Sequence, residues 1–177
     1  MNETMKTSPI YIALGANLPS AGRSPARTLA LALDALSARG ITVVTRSSDW
    51  HSPAWPDPSA PAYVNAVAEV ETDLAPRALL DLLHEIEAEF GRVRHIRWEA
   101  RVLDLDLLDF RGGPHSDEAG LEVPHPRMAG RAFVMLPLAE IAPHWRQPET
   151  GRAIADLITA LPPADVTATR KLHTILR

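Results

Sequence analysis

The chain has 177 residues, 46% hydrophobic and 23% charged, a balance that describes a globular protein with enough apolar mass for a real core. It has no cysteine, which excludes disulfides, thiolate metal sites and thiol nucleophiles. A net charge of −4, a polar start over Met1–Ser8 and no run near the roughly 20 apolar residues of a membrane span argue against nucleic-acid, secretory and membrane roles. The expectation is one cytoplasmic domain over residues 1–177, with residues 1–8 flexible.

In chain order, Ile10 to Leu14 is a short apolar run that predicts a buried strand, with Gly15-Ala16-Asn17 as a tight turn after it. Ser24-Pro25 predicts a helix start, Ser24 as cap and Pro25 at the first helical position; Leu29, Leu33 and Leu36 form its stripe and Gly40 its stop. Ile41 to Asp49, rich in valine and threonine, reads as a second strand. The four prolines between Ser52 and Ala62 make that stretch a constrained loop. Tyr63 to Thr72 reads as a third strand, with Val64, Ala66, Ala68 and Val70 on one face and Tyr63, Asn65, Glu69 and Glu71 mostly on the other.

Thr72-Asp73 with Pro76 predicts the next helix start; Leu79, Leu83, Ile86 and Phe90 mark its stripe and Gly91 its end. Residues 92 to 101 read as a polar loop, and Val102 to Phe110 as the fourth strand. The order β-α-β-β-α-β predicts an α+β, ferredoxin-like antiparallel sheet with two helices and a C-terminal elaboration. In that elaboration Gly112 to Gly120 reads as a loop, Phe133 to Ile141 as a helix bent or interrupted at Pro137, and Arg152 to Leu161 as a further helix.

Within the fourth strand, Asp104 and Asp106 are two residues apart, so they share a face, with Cα atoms about 7 Å apart. Leu103, Leu105 and Leu107 point the other way, and Val102, Leu108 and Phe110 are expected on the aspartate face. The pair reads either as a solvated face or as a magnesium site, since Mg2+ takes oxygen ligands from one or two carboxylates plus substrate phosphates. Just before it stand Arg92, Arg94, Arg97 and Arg101, in a chain whose only lysines are Lys6 and Lys171. Guanidinium groups fork onto phosphate oxygens, which suits a polyphosphate; the alternative is ion pairing with Glu85, Glu87 and Glu89. No Walker-type or Rossmann glycine loop is present. Tyr63, Asn65, Trp55 and Phe133, the last following Arg131 in a polar turn, are able either to sandwich a flat heterocycle or simply to pack. His125, between Pro124 and Pro126, is either a presented side chain or a structural one.

Taken together, these motifs resemble the 6-hydroxymethyl-7,8-dihydropterin pyrophosphokinase family over residues 11 to about 144. They are Ala13-Leu14-Gly15-Ala16-Asn17-Leu18, Tyr63-Val64-Asn65-Ala66, Gly91-Arg92-Val93-Arg94, Arg97-Trp98, Arg101-Val102-Leu103-Asp104-Leu105-Asp106, Val123-Pro124-His125-Pro126 and Arg131-Ala132-Phe133-Val134. The resemblance implies the ferredoxin-like fold and transfer of the diphosphate of ATP to a pterin hydroxymethyl group, with AMP released, in folate biosynthesis. It implies Asp104 and Asp106 as holders of two magnesium ions, and Arg92 and Arg101 as the groups assisting transfer. Glu87, Arg94, Arg97, Trp98, His125 and Arg131 would serve ATP. Ser52, Trp55, Tyr63, Asn65 and Phe133 would serve the pterin. The implied partners are these two small molecules, with no nucleic acid and no membrane; a monomer is compatible with the sequence, which does not set the oligomeric state. Glu99-Ala100 stands where the family commonly has Gly-Pro, and Ala16 where it has serine. Two rival readings are a ligand-sensing module without chemistry and an inactive relative.

Overall fold

The computed structural model describes residues 8–17, 22–54, 57–91 and 102–173. Strand β1 (Ile10–Ala16) is central in the main sheet. Helix α1 (Pro25–Ala38) follows, and Ser24 caps it by accepting the Arg27 N–H at 3.3 Å. Gly40 takes a φ of 82°, the left-handed conformation that lets the chain leave the helix.

The predicted second strand is two. β2 (Thr42–Arg46) and β3 (Trp50–Ser52) both pair with β4 (Tyr63–Glu71), and residues 47–49 break the ladder between them. Ser52 therefore belongs to a strand, with the proline-rich loop starting after it. Helix α2 (Pro76–Glu89) begins later than Thr72-Asp73 indicates: its cap position is Ala75, with no side-chain bond, and Pro76 supplies the preset φ. Strand β5 (Asp104–Phe110) then returns beside β1.

All main pairings are antiparallel, in the order β5-β1-β4-β3, with β2 also on β4. Counting β2 and β3 as one interrupted strand, this is the ferredoxin-like order expected from the sequence.

One sheet face packs on α1 and α2. Ile12, Leu14, Leu29, Leu36, Leu79, Leu83, Ile86 and Leu105 form that core, each at most 2% exposed. The helical period of the two stripes and the strand period of β1 and β5 place these residues together, and burying each large aliphatic side chain stabilises by about 1.5–3 kcal/mol.

The C-terminal elaboration covers part of the other face. Residues 112–120 are not all loop: β6 (His115–Ser116) pairs with β7 (Glu122–Val123). Helix α3 (Ala132–Ile141) runs uninterrupted through Pro137. It starts one residue before Phe133, which is therefore in a first helical turn and not a polar turn. Helix α4 (Ile154–Thr159) is shorter than the predicted 152–161. Helix α5 (Pro163–Ala168) and strand β8 (Arg170–Lys171), which pairs with β3, went unpredicted. Met135 and Leu138 of α3, with Trp145 and Leu157, pack on Tyr11, Val67 and Leu108.

Strand β5 departs from simple alternation. Tyr11 pairs with Asp109 but Ile12 pairs with Leu107, so Leu108 is an extra residue, a β-bulge. Leu107 joins the α1/α2 core, Leu108 joins the α3 core, and Phe110 falls back into the α1/α2 core. The expectation that Phe110 shares the aspartate face is thus corrected by a bulge that alternation cannot foresee. Among the described residues no helix is long and apolar enough to cross a membrane.

Candidate active site

Register builds the site. Gly15 of β1 pairs with Asp104 of β5 on one side and with Asn65 of β4 on the other, and Asn65 pairs with Trp50 of β3. Asp104, Gly15, Asn65 and Trp50 therefore form one cross-strand row. Asp106, Ala13 and Val67 form the next row on the same face. Val67 lies under the α3 core, while Asp104, Asp106 and Trp50 remain half-buried. The face thus has a covered half and a half where carboxylates, a glycine, an amide and an indole stand side by side.

Gly15 is not in a turn, as its sequence neighbours indicate, but within β1. A Cβ there would come within 3.2 Å of Asn65 Oδ1 and 3.9 Å of Tyr63 Cδ1. The missing side chain lets the Asn65 amide lie across β1. Asn65, 6% exposed, donates from Nδ2 to Ser52 Oγ at 2.9 Å, which fixes the amide plane. Tyr63 pairs with Ser52 on the same face, one row beyond Asn65 and Trp50. Ser52, Tyr63 and Asn65, three residues singled out in the sequence, are brought together.

The opposite end of the row is electrostatic. The His125 backbone N–H donates to Leu108 O at 2.8 Å, docking the 123–126 segment on the bulge; the Val123–Pro124 peptide is cis. Burial lowers the proton affinity of the His125 ring, Asp106 partly offsets this, and Arg131 and Arg127 push it down again. Asp106, His125 and Arg131 are therefore electrostatic neighbours. His125 Nδ1 accepts the Arg127 N–H at 3.2 Å, which assigns its proton to Nε2. Arg131, at the cap position of α3, lies over the Phe133 ring with its guanidinium carbon 5.7 Å from the centroid.

Glu87, 1% exposed, reaches from α2 to the outer edge of β5 and accepts the Leu105 N–H at 2.8 Å. It lies beside the carboxylate strand and serves that strand's backbone. Glu85 and Glu89, expected as alternative partners of the arginine loop, pair with Arg39 of α1. Trp55, Arg92, Arg94, Arg97, Trp98 and Arg101, together with Glu99 and Ala100, lie outside the described residues.

Two carboxylates, Asp104 and Asp106, face this space, and among the described residues no group of three histidine, aspartate or glutamate side chains is placed to hold a metal ion by itself. An all-oxygen pair of this kind fits Mg2+, which completes its shell with water and substrate phosphates.

Sequence reasoning missed three participants. Trp50 is the fourth member of the row, and strand pairing alone reveals it. Asp109, 3% exposed, accepts Trp145 Nε1 at 2.8 Å and Gly112 N at 3.0 Å, anchoring the bulge to the elaboration. Burial raises its proton affinity, and those two donors and His115 pull it partly back. Glu140 of α3 accepts Trp50 Nε1 at 2.8 Å.

Comparison with known proteins gives a consistent result. Residues 11–143 match the 7,8-dihydro-6-hydroxymethylpterin-pyrophosphokinase (HPPK) family. A 2-amino-4-hydroxy-6-hydroxymethyldihydropteridine pyrophosphokinase of Pseudomonas aeruginosa is 44% identical over 157 residues, 86% of this chain and 91% of that protein. The protein of the same name from Haemophilus influenzae is 47% identical over 133 residues, 75% of this chain and 80% of its own. A crystal structure of Plasmodium falciparum HPPK-DHPS superposes with a TM-score of 0.68 at 14% identity, covering 89% of this chain and 45% of that longer one.

Proposed function

The chain belongs to the 7,8-dihydro-6-hydroxymethylpterin-pyrophosphokinase family, and from that premise we propose how its described face performs the reaction. The reaction is transfer of the diphosphate of ATP to 6-hydroxymethyl-7,8-dihydropterin, giving AMP and the pterin diphosphate, a step of folate biosynthesis. The hydroxymethyl oxygen forms a bond to the β-phosphorus, the bond from that phosphorus to the α,β-bridging oxygen breaks, and AMP leaves with that oxygen. The hydroxyl proton passes to water, since no strong base faces the row among the described residues.

The observation that carries the reading is the row itself, with the Asp104 carboxylate at one end, Gly15 next to it, then the pinned Asn65 amide and the Trp50 indole, and with Asp106 in the adjoining row on the same face. The pterin lies at the Asn65 end. The Asn65 amide, with donor and acceptor atoms, reads the polar edge of the ring, Ser52 orients the amide, and Tyr63 and Phe133 flank the ring faces. ATP lies towards β5. Its phosphates meet His125, which is neutral and offers Nε2–H, and Arg131, while Glu87 supports the strand that borders them.

Asp104 and Asp106 would hold Mg2+, two ions in this reading, which would supply positive charge against the phosphate oxygens. Arg92 and Arg101 assist transfer, Arg94, Arg97 and Trp98 bind the nucleotide, and Trp55 flanks the pterin. These six assignments rest on the resemblance of their motifs. Positioning and electrostatic stabilisation supply the acceleration, as in phosphoryl transfer generally. The reading also takes residues 1–177 as one domain acting in the cytoplasm.

The test is AMP release from ATP in the presence of the pterin. Asp104→Ala and Asp106→Ala are each expected to abolish it, as is chelation of divalent ions, with activity restored by added Mg2+. Near-normal turnover in both variants would sink the metal assignment.

A further inference from the structure

Helix α3 carries Phe133 in its first turn and Glu140 in its last. Seven residues separate them, so they lie on one helix face about 10.5 Å apart along the axis. Phe133 belongs to the proposed pterin slot, and the role assigned to Glu140 rests on that reading.

The Glu140 carboxylate collects its donors from the far wall of the slot. Oε1 accepts the Ser48 N–H at 3.1 Å, the Ser48 hydroxyl at 2.7 Å and the Lys171 ammonium at 3.0 Å; Oε2 accepts the Trp50 indole N–H at 2.8 Å. Ser48 sits in the break between β2 and β3, Trp50 opens β3, and Lys171 of β8 pairs with Trp50. Each of these donors thus belongs to β3, its approach or its outer neighbour. Ser52, which fixes the Asn65 amide, lies two residues beyond Trp50 on the same face.

The backbone holds β3 weakly. It has three paired residues on β4 and two on β8. A three-residue strand next to a break needs side-chain anchoring to keep a fixed distance from a helix packed on its face.

We propose that Glu140 is a positioning residue for the pterin: by gathering the β3 donors onto α3, it fixes the separation between the Phe133 wall and the Ser52–Asn65 wall of the slot. The carboxylate is held ionised for this task. Desolvation raises its proton affinity, but the donors from Ser48, Trp50 and Lys171 outweigh that and keep it below the ordinary glutamate range.

The effect separates the two substrates. ATP lies towards β5, across the sheet from β3, so loosening β3 leaves it in place. Misplacing a substrate by about 1 Å costs up to about 100-fold, so a partial shift of the wall is expected to cost about tenfold.

Steady-state kinetics of Glu140→Ala, Glu140→Gln and Trp50→Phe test this, with Asn65→Ala as the control for the slot itself. Trp50→Phe keeps an aromatic ring and removes the indole donor. Glu140→Ala is expected to raise the pterin KM about tenfold, with the ATP KM within about twofold. Trp50→Phe shifts the same constant in the same direction, Glu140→Gln less than alanine, and the Glu140→Ala/Trp50→Phe pair no further than Glu140→Ala alone. Losses equal for both substrates and following the melting temperature would make Glu140 merely structural and overturn the proposal. If Asn65→Ala raises the pterin KM while Glu140→Ala and Trp50→Phe leave it unchanged, the positioning role is wrong and the slot stands. If Asn65→Ala changes nothing, the slot reading fails and the proposal with it. Should Glu140→Ala not fold, Trp50→Phe decides by the same criteria.

Discussion

Replacing Gly15 by alanine tests the row at its centre. The backbone there tolerates a side chain, because Gly15 is not among the residues with positive φ. The added Cβ would stand 3.2 Å from Asn65 Oδ1, closer than ordinary van der Waals contact. The amide must therefore give way by a few tenths of an ångström, yet its nitrogen is tied to Ser52 at 2.9 Å. Turning it off its rotamer costs about 0.5–1.5 kcal/mol, and a weakened hydrogen bond costs about 0.5–1.5 kcal/mol. Together these predict a loss of about 1–3 kcal/mol in pterin binding, or about 5- to 150-fold in its dissociation constant. Stability moves differently. Gly→Ala in compatible backbone gains about 0.4–1 kcal/mol through the unfolded chain, which offsets part of the strain, so stability falls by less than pterin binding does. Pterin titration in the presence of a non-hydrolysable ATP analogue, beside a thermal melt, reads both quantities. A folded Gly15→Ala protein that binds pterin with unaltered affinity would refute the contact between Gly15 and Asn65 as a determinant of the site.

Two further expectations concern the scaffold. Trp145→Phe removes one of two donors to the buried Asp109 and should cost about 1–3 kcal/mol in urea unfolding. Because burial raises the folded-state pKa of Asp109, its penalty grows as pH rises above the unfolded value; the substitution raises that pKa further and so costs more at neutral than at acid pH. At the surface, Asp117 receives Arg77 Nε at 2.7 Å, and this bond, with the backbone donors from Leu121 and Ala119, lowers its carboxyl from 3.8 to about 2. Its contribution is fully present above 3.8 and is lost as pH falls towards about 2, so Arg77→Met should flatten the acid limb of stability in that window, read by unfolding at stepped pH.

Features encoded by near neighbours are legible in the sequence. The Ser24 cap needs only Arg27, and Asp104 and Asp106 share a face because two residues of extended chain bring them there. The stripes of α1 and α2 follow from helical period alone. What depends on distant pairing is hidden. Alternation puts Phe110 on the wrong face because the bulge at Leu108 exists only in the register with β1. Gly15 resembles a turn glycine until β4 and β5 are laid on either side of it. Trp50 is close to the proline-rich loop in sequence, and nothing there tells that it stands opposite Asn65 or that Glu140, far along the chain, holds its indole. Pieces as short as β6, β7 and β8 have too few residues to show a period at all.

The bulge in β5 acts as a phase shifter. Upstream of Leu108 the strand turns Asp104 and Asp106 to the sheet face they share with Asn65; downstream it turns Phe110 to the opposite layer while Leu108 and Asp109 both serve the elaboration. The carboxylate segment and the anchoring segment are thereby released from a common rhythm. A residue can change on one side of the shift without dragging the other across the sheet, so the carboxylate positions 104 and 106 can vary while the mooring at Trp145 stays put.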